Sequence, residues 1–141
     1  MGIKMTAAEL NAFLDQVFEQ VADDFVVDHV APDELTVRLL VSDKHIRPGG
    51  TISGPSMFSL ADVGAYLMTL AVIGPQELAV TTNCSIDFMR KPAAGVDLIA
   101  RVRLLKLGRQ LSVSDVLIYS EGHDKPVARA SLTYAIPPRS A

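Results

Sequence analysis

The sequence predicts an α+β fold, in which one long apolar helix is wrapped by a curved antiparallel sheet and a second helix lies at the N-terminus. Three observations carry this. Pro55 to Ile73 (PSMFSLADVGAYLMTLAVI) holds one charged residue, Asp62, in an otherwise apolar run. A helix that is apolar all round is a buried helix. Most of the remaining chain alternates apolar and polar residues with the period of strands. Thr6 and Glu9 form a capping-box pattern ahead of Leu10, Phe13, Leu14, Val17, Phe18 and Val21, which recur at helical spacing.

In chain order, the N-terminal helix is expected to run about four turns, to near Asp23-Asp24. Phe25 to Val30 reads as a strand, Asp33-Glu34 as its turn, and Leu35, Val37, Leu39 and Val41 as the alternation of the next strand. His45 to Pro55 is a loop rich in Gly and Pro. Pro55 suits the first turn of the apolar helix and Gly74-Pro75 stops it. Four strands follow: Leu78 to Met89, Val96 to Leu107, Leu111 to Tyr119 and Val127 to Ile136. Lys91 to Gly95, Gly108-Arg109 and Gly122 to Pro126 are the turns between them.

At 141 residues the chain is expected to be one domain, residues 1–141, with a respectable core. A formal charge of -3 and no basic stripe argue against a nucleic-acid partner. Cys84 is the only cysteine, so no disulfide framework can form within the chain, which fits a cytoplasmic protein. The N-terminus lacks the layout of a signal peptide. His29, His45 and His123 are scattered, are read as surface residues, and make no metal set. No metal and no cofactor are expected. The apolar content of so short a chain points to a homo-oligomer.

The apolar run approaches the roughly 20 residues a bilayer needs. Asp62 near its middle, where charge is expensive, argues against a membrane span. A lone carboxylate on a buried helix must be paired, desolvated or used, which makes Asp62 the first functional candidate. Met57, Tyr66 and Met68 on the same helix are read as core, and Cys84 as a small buried filler.

The Gly-rich loop ending in Gly54, then FSLAD ending in Asp62, then SIDF (Ser85 to Phe88) and GRQLSVSDVLI, resembles the hot-dog-fold acyl-CoA thioesterases. The likeness is greatest to the phenylacetyl-CoA thioesterase (PaaI-like) branch. It runs from about His45 to Ile136. The resemblance implies hydrolysis of acyl-CoA thioesters without metal or cofactor. It implies that the Gly54 amide polarises the thioester carbonyl, that Asp62 is the catalytic carboxylate, and that Thr81, with Thr82 beside it, holds the attacking water. Ser53 stands where the family usually has His, Pro55 replaces a second Gly, and Arg47 occupies a position where Asn is common. Arg90, Lys91 and Arg109 resemble the rim that takes the CoA phosphates. Arg47, Ser53, Pro55, Thr82, Arg90, Lys91 and Arg109 are therefore the candidate substrate-binding residues.

The chemistry fits these residue types. Hydrolysis of a thioester needs a donor for the developing oxyanion, which an orphan amide at a helix N-terminus supplies. It also needs a general base or a nucleophile, and Asp62 can be either. Eight residues of helix separate Gly54 from Asp62, or about 12 Å along the axis. Reacting groups must approach to about 3–3.5 Å. One chain therefore cannot build the site from this pair, whereas two antiparallel helices across a two-fold axis can, so a dimer is expected, and a dimer of dimers behind it. A non-catalytic hot-dog protein that binds acyl-CoA or a related ligand is the alternative. Hydratase chemistry is less favoured, because it wants Asp and His together near the helix.

Overall fold

The structure is a computed structural model that describes residues 2–138. Helix α1 spans Ala7–Val17, with Thr6 as its N-cap and the capping box to Glu9 formed in both directions. It is shorter than its apolar spacing suggests: the N–H of Phe18 closes it on Leu14, and a 3₁₀ turn, Ala22–Asp24, follows. No basic residue lies in its last turn. Glu19, Asp23 and Asp24 beyond it would face the negative end of the helix dipole. Phe18 and Val21 still pack against the core, after the chain has left the helix.

Strands β1 (Phe25–Ala31) and β2 (Glu34–Leu39) form the first hairpin, and helix α2 (Gly54–Ile73) follows the Gly-rich loop. Strands β3 (Val80–Phe88), β4 (Leu98–Leu107), β5 (Leu111–Ser120) and β6 (Ala128–Ala135) complete the chain. Every pairing is antiparallel, and the order across the sheet is β1-β2-β4-β5-β6-β3. This is the hot-dog arrangement. The chain leaves one edge of the sheet at β1-β2, runs through α2, and re-enters at the opposite edge as β3.

Helix α2 packs on the inner face of the sheet. Leu60, Leu67, Met68 and Leu70 are fully buried there with Val37, Leu98, Val102, Ile118 and Leu132. The helix is long and apolar enough to cross a membrane, yet 61% of its most apolar window is buried in the molecule, as befits a core helix. Gly64 sets how closely it sits: a Cβ there would meet Val102 at 2.9 Å and Val37 at 3.3 Å. Met57, Tyr66 and Met68 are core residues, as expected. Cys84 is only partly buried, because β3 is an edge strand with one neighbour.

One irregularity positions the site. Along β3 and β6, Thr81 pairs with Tyr134 and Asn83 with Thr133, so Thr82 is the extra residue of a bulge. Directly paired residues project from the same face of a sheet. Thr81 and Tyr134 therefore rise together toward α2.

Candidate functional site

The site is built around Asp62, half-buried in the ninth position of α2. The Thr81 hydroxyl donates to Asp62 Oδ1 at 2.6 Å, and the Tyr134 hydroxyl donates to the same oxygen at 2.6 Å. Tyr134 also lies 3.0 Å from the Asp62 carbonyl oxygen. A hydroxyl has one proton, and the shorter bond to the carboxylate is the charge-assisted one. No hydrogen bond reaches Asp62 Oδ2 among the described residues. The lone charge on the apolar helix is thus held from one side and open on the other. Burial, then the bond to Asp62, pushes the pKa of Tyr134 well above that of free tyrosine, so the phenol stays a donor. Burial and then the charge of Asp62 also raise the pKa of the Cys84 thiol.

Gly54 is the first residue of the same helix. The Ser53 side chain caps the helix by accepting from the Ser56 N–H at 3.2 Å, and Pro55 has no N–H to offer. The Gly54 N–H donates to nothing among the described residues, so it is an orphan donor at the positive end of a twenty-residue helix. The Phe88 ring, at the end of β3, would lie 3.3 Å from a Cβ at position 54. Within one chain Gly54 and Asp62 remain about 12 Å apart along the helix axis.

The other sequence candidates are spread around this frame. Arg47 is exposed in the loop before α2 and forms no ion pair among the described residues; its N–H donates to Thr51. Thr82 points away from Asp62 and donates to the Thr133 carbonyl. Arg90 donates to the Pro126 carbonyl and, with Lys91, follows Phe88 on the exposed surface. Arg109 lies in the β4–β5 turn and lines a cavity of about 840 Å³ with Val72 and Ile73, at the far end of α2. The structure brings Thr81 to Asp62 and Ser53 to Gly54. It does not bring Arg109 to either.

Two site residues were missed. The sequence places Tyr134 only in the last strand, and nothing in its local sequence links it to a helix 72 residues away. His45, expected at the surface, is 6% exposed. Its Nδ1 accepts from the Ser42 N–H at 2.9 Å, its Nε2 faces Asp24 at 3.7 Å, and its carbonyl accepts from the Ser53 N–H at 2.8 Å. It anchors the loop that delivers Ser53 and Gly54. The signal for it was its place at the head of a Gly-rich loop, which had to be fastened somewhere.

A cleft of about 290 Å³ runs beside the start of α2, lined by Asp24, His45, Ser53, Pro55 and Ser59. A groove of about 700 Å³ lies on the outer face of the sheet, around Arg101, Arg103 and Arg129. Neither Gly54 nor Asp62 lines any of these three cavities. Among the described residues no group of three His, Cys, Asp or Glu side chains could hold a metal ion.

Comparison with known proteins gives the family and the fold. Residues 49–127 match the family described as the Thioesterase superfamily. The chain is 32% identical over 108 residues to "Putative esterase PA0474" of Pseudomonas aeruginosa, covering 76% of this chain and 78% of that one. It superimposes with a TM-score of 0.90, at 54% identity, on the crystal structure of a protein named as a putative thioesterase from Silicibacter sp. TM1040, covering 96% and 94% of the two chains. A mutant of the phenylacetic acid degradation protein PaaI from Thermus thermophilus gives a TM-score of 0.71 at 29% identity, over 89% of this chain and 99% of that one. From the loop through the helix to the strand that carries its acid's partner, this chain belongs to the thioesterase superfamily and has the hot-dog fold.

Proposed function

We propose that this protein hydrolyses acyl-CoA thioesters, as a PaaI-like enzyme of the cytoplasm, at two equivalent sites between paired copies of the chain. In each site the Asp62 carboxylate of one copy faces the Gly54 amide of the other. The observation that carries this reading is the carboxylate itself, fastened through Oδ1 and open at Oδ2 on a helix whose first N–H is unpaired. Edge strand β3 supports the pairing: Val80 is 55% exposed and Phe88 53%, an apolar edge of the kind that seeks another strand.

In this reading Asp62 Oδ2 takes a proton from water as the water oxygen attacks the thioester carbon. Thr81 spends its own proton on Oδ1, so its oxygen is left to accept the water's second hydrogen. The carbonyl oxygen becomes an oxyanion held by the Gly54 N–H. Collapse breaks the carbon–sulfur bond, CoA leaves as the thiolate and is protonated, and the free acid remains. Direct attack by Asp62 Oδ2 would instead give an anhydride that water then hydrolyses. Arg90 and Lys91, near the Gly54 end, are the residues we assign to the CoA phosphates. Ser53 and Pro55 border the path, and Arg47 tunes the approach to the carbonyl.

The test is thiol release from a panel of aryl, short, medium and long acyl-CoA substrates. Asp62→Asn should lower kcat by at least about 100-fold with the fold and assembly kept, on the usual scale for a lost acid–base group. Full turnover in that variant would remove Asp62 from the reaction. Binding of acyl-CoA without thiol release by the native protein would favour the alternative, a ligand-binding hot-dog protein.

A further inference from the structure

We infer that Tyr134 is a positioning residue for Asp62: its hydroxyl, with that of Thr81, fixes Oδ1 so that Oδ2 is the oxygen presented to the reaction. The inference deepens the reading above and rests on it for its kinetic part. Its structural part stands by itself.

Thr81 and Tyr134 are direct partners across β3 and β6, and both reach up to the single acid on α2. Two 2.6 Å bonds to one oxygen of a carboxylate stop it from turning about its last torsion. A freely turning carboxylate offers either oxygen; this one offers Oδ2.

Tyr134 is itself held. It is 4% exposed, and its ring lies 5.9 Å from that of Tyr66, which stacks edge-on against Phe18. Its backbone pairs with Ser112 on β5 as well as with Thr81 on β3. The rigid phenol therefore imposes its position on Asp62, not the reverse. The titratable groups set against Asp62 are Tyr134 from β6 and Cys84 from β3, with Tyr66 on α2 acting through Tyr134.

Tyr134→Phe removes the hydroxyl and leaves the ring. In a crystal structure of Tyr134→Phe the Asp62 carboxylate should take more than one torsion, whereas in the native protein Oδ1 stays on the two hydroxyls; one unchanged orientation in the variant overturns the inference. In turnover, kcat should fall about 10- to 100-fold while KM stays within about threefold, because a turning oxygen is lost to the reaction and not to binding. An unchanged kcat also overturns it. Should Tyr134→Phe fail to fold, Thr81→Val leaves Tyr134 as the one donor, and its structure should keep Oδ1 on the Tyr134 hydroxyl; a carboxylate turned off that hydroxyl overturns the inference. A native protein that releases no thiol would end the thioesterase reading, while the orientation of the carboxylate would still decide the role of Tyr134.

Discussion

At the scale of single residues, the site separates two jobs along one helix. Asp62 carries the charge and Gly54 carries the donor. The φ of Gly54 is not positive, but Pro55 follows it, and a residue with a Cβ before proline is disfavoured in the helical region. Gly54→Pro is the sharp test, because proline removes the N–H and follows an extended Ser53 (φ -73, ψ 152) as it prefers. Circular dichroism and the size of the assembly check that two prolines in a row, with the Phe88 ring beside them, leave the fold intact. The variant's kcat should fall by about 100- to 1000-fold, the usual loss for an oxyanion donor. Arg47→Asn should change KM or acyl preference and leave kcat within about tenfold, because donor and carboxylate both survive. Identical kinetics would make Arg47 a solvated loop residue. Asp62 was legible in the sequence because a charge on an apolar helix stands out. Tyr134 was not, because an inward tyrosine on an alternating strand looks like core until the sheet order is known.

At the scale of elements, the Gly and Pro signals around α2 gave both its ends within a residue, and β-leaning runs between turn residues placed all six strands. The end of α1 was not legible, since Phe18 and Val21 keep the helical spacing while the backbone has already turned. Register was not legible either. The bulge at Thr82 shows in no composition, yet it decides that Thr81 and not its neighbour meets Asp62. The contact of α2 with the sheet depends on Gly64. Gly64→Ala would place a Cβ 2.9 Å from the Val102 side chain. Overpacking of this kind costs about 1–3 kcal/mol, and alanine's better helix propensity returns at most about 1. Denaturant unfolding should therefore show a net loss of up to about 3 kcal/mol; greater stability would mean that the helix has room to move. Activity should suffer too, because a shift of α2 moves Asp62 away from Thr81 and Tyr134.

At the scale of the whole molecule, the central claim is that no single chain holds a complete site. The exposed β3 edge and the separation of Gly54 from Asp62 both point to a second copy. The proposed pairing rests on helix arithmetic, since eight residues of helix are too long for one carbonyl to bridge. The most direct measurement mixes two inactive variants. Asp62→Asn retains Gly54, and Gly54→Pro retains Asp62. Refolded together in equal amounts, half the dimers are mixed, and each mixed dimer has one intact site of two, so about a quarter of native turnover should return. If Gly54 and Asp62 of the same chain made the site, every site in the mixture would lack one of them. Turnover no higher than the two variants give separately, with mixed dimers demonstrably present, would contradict the account.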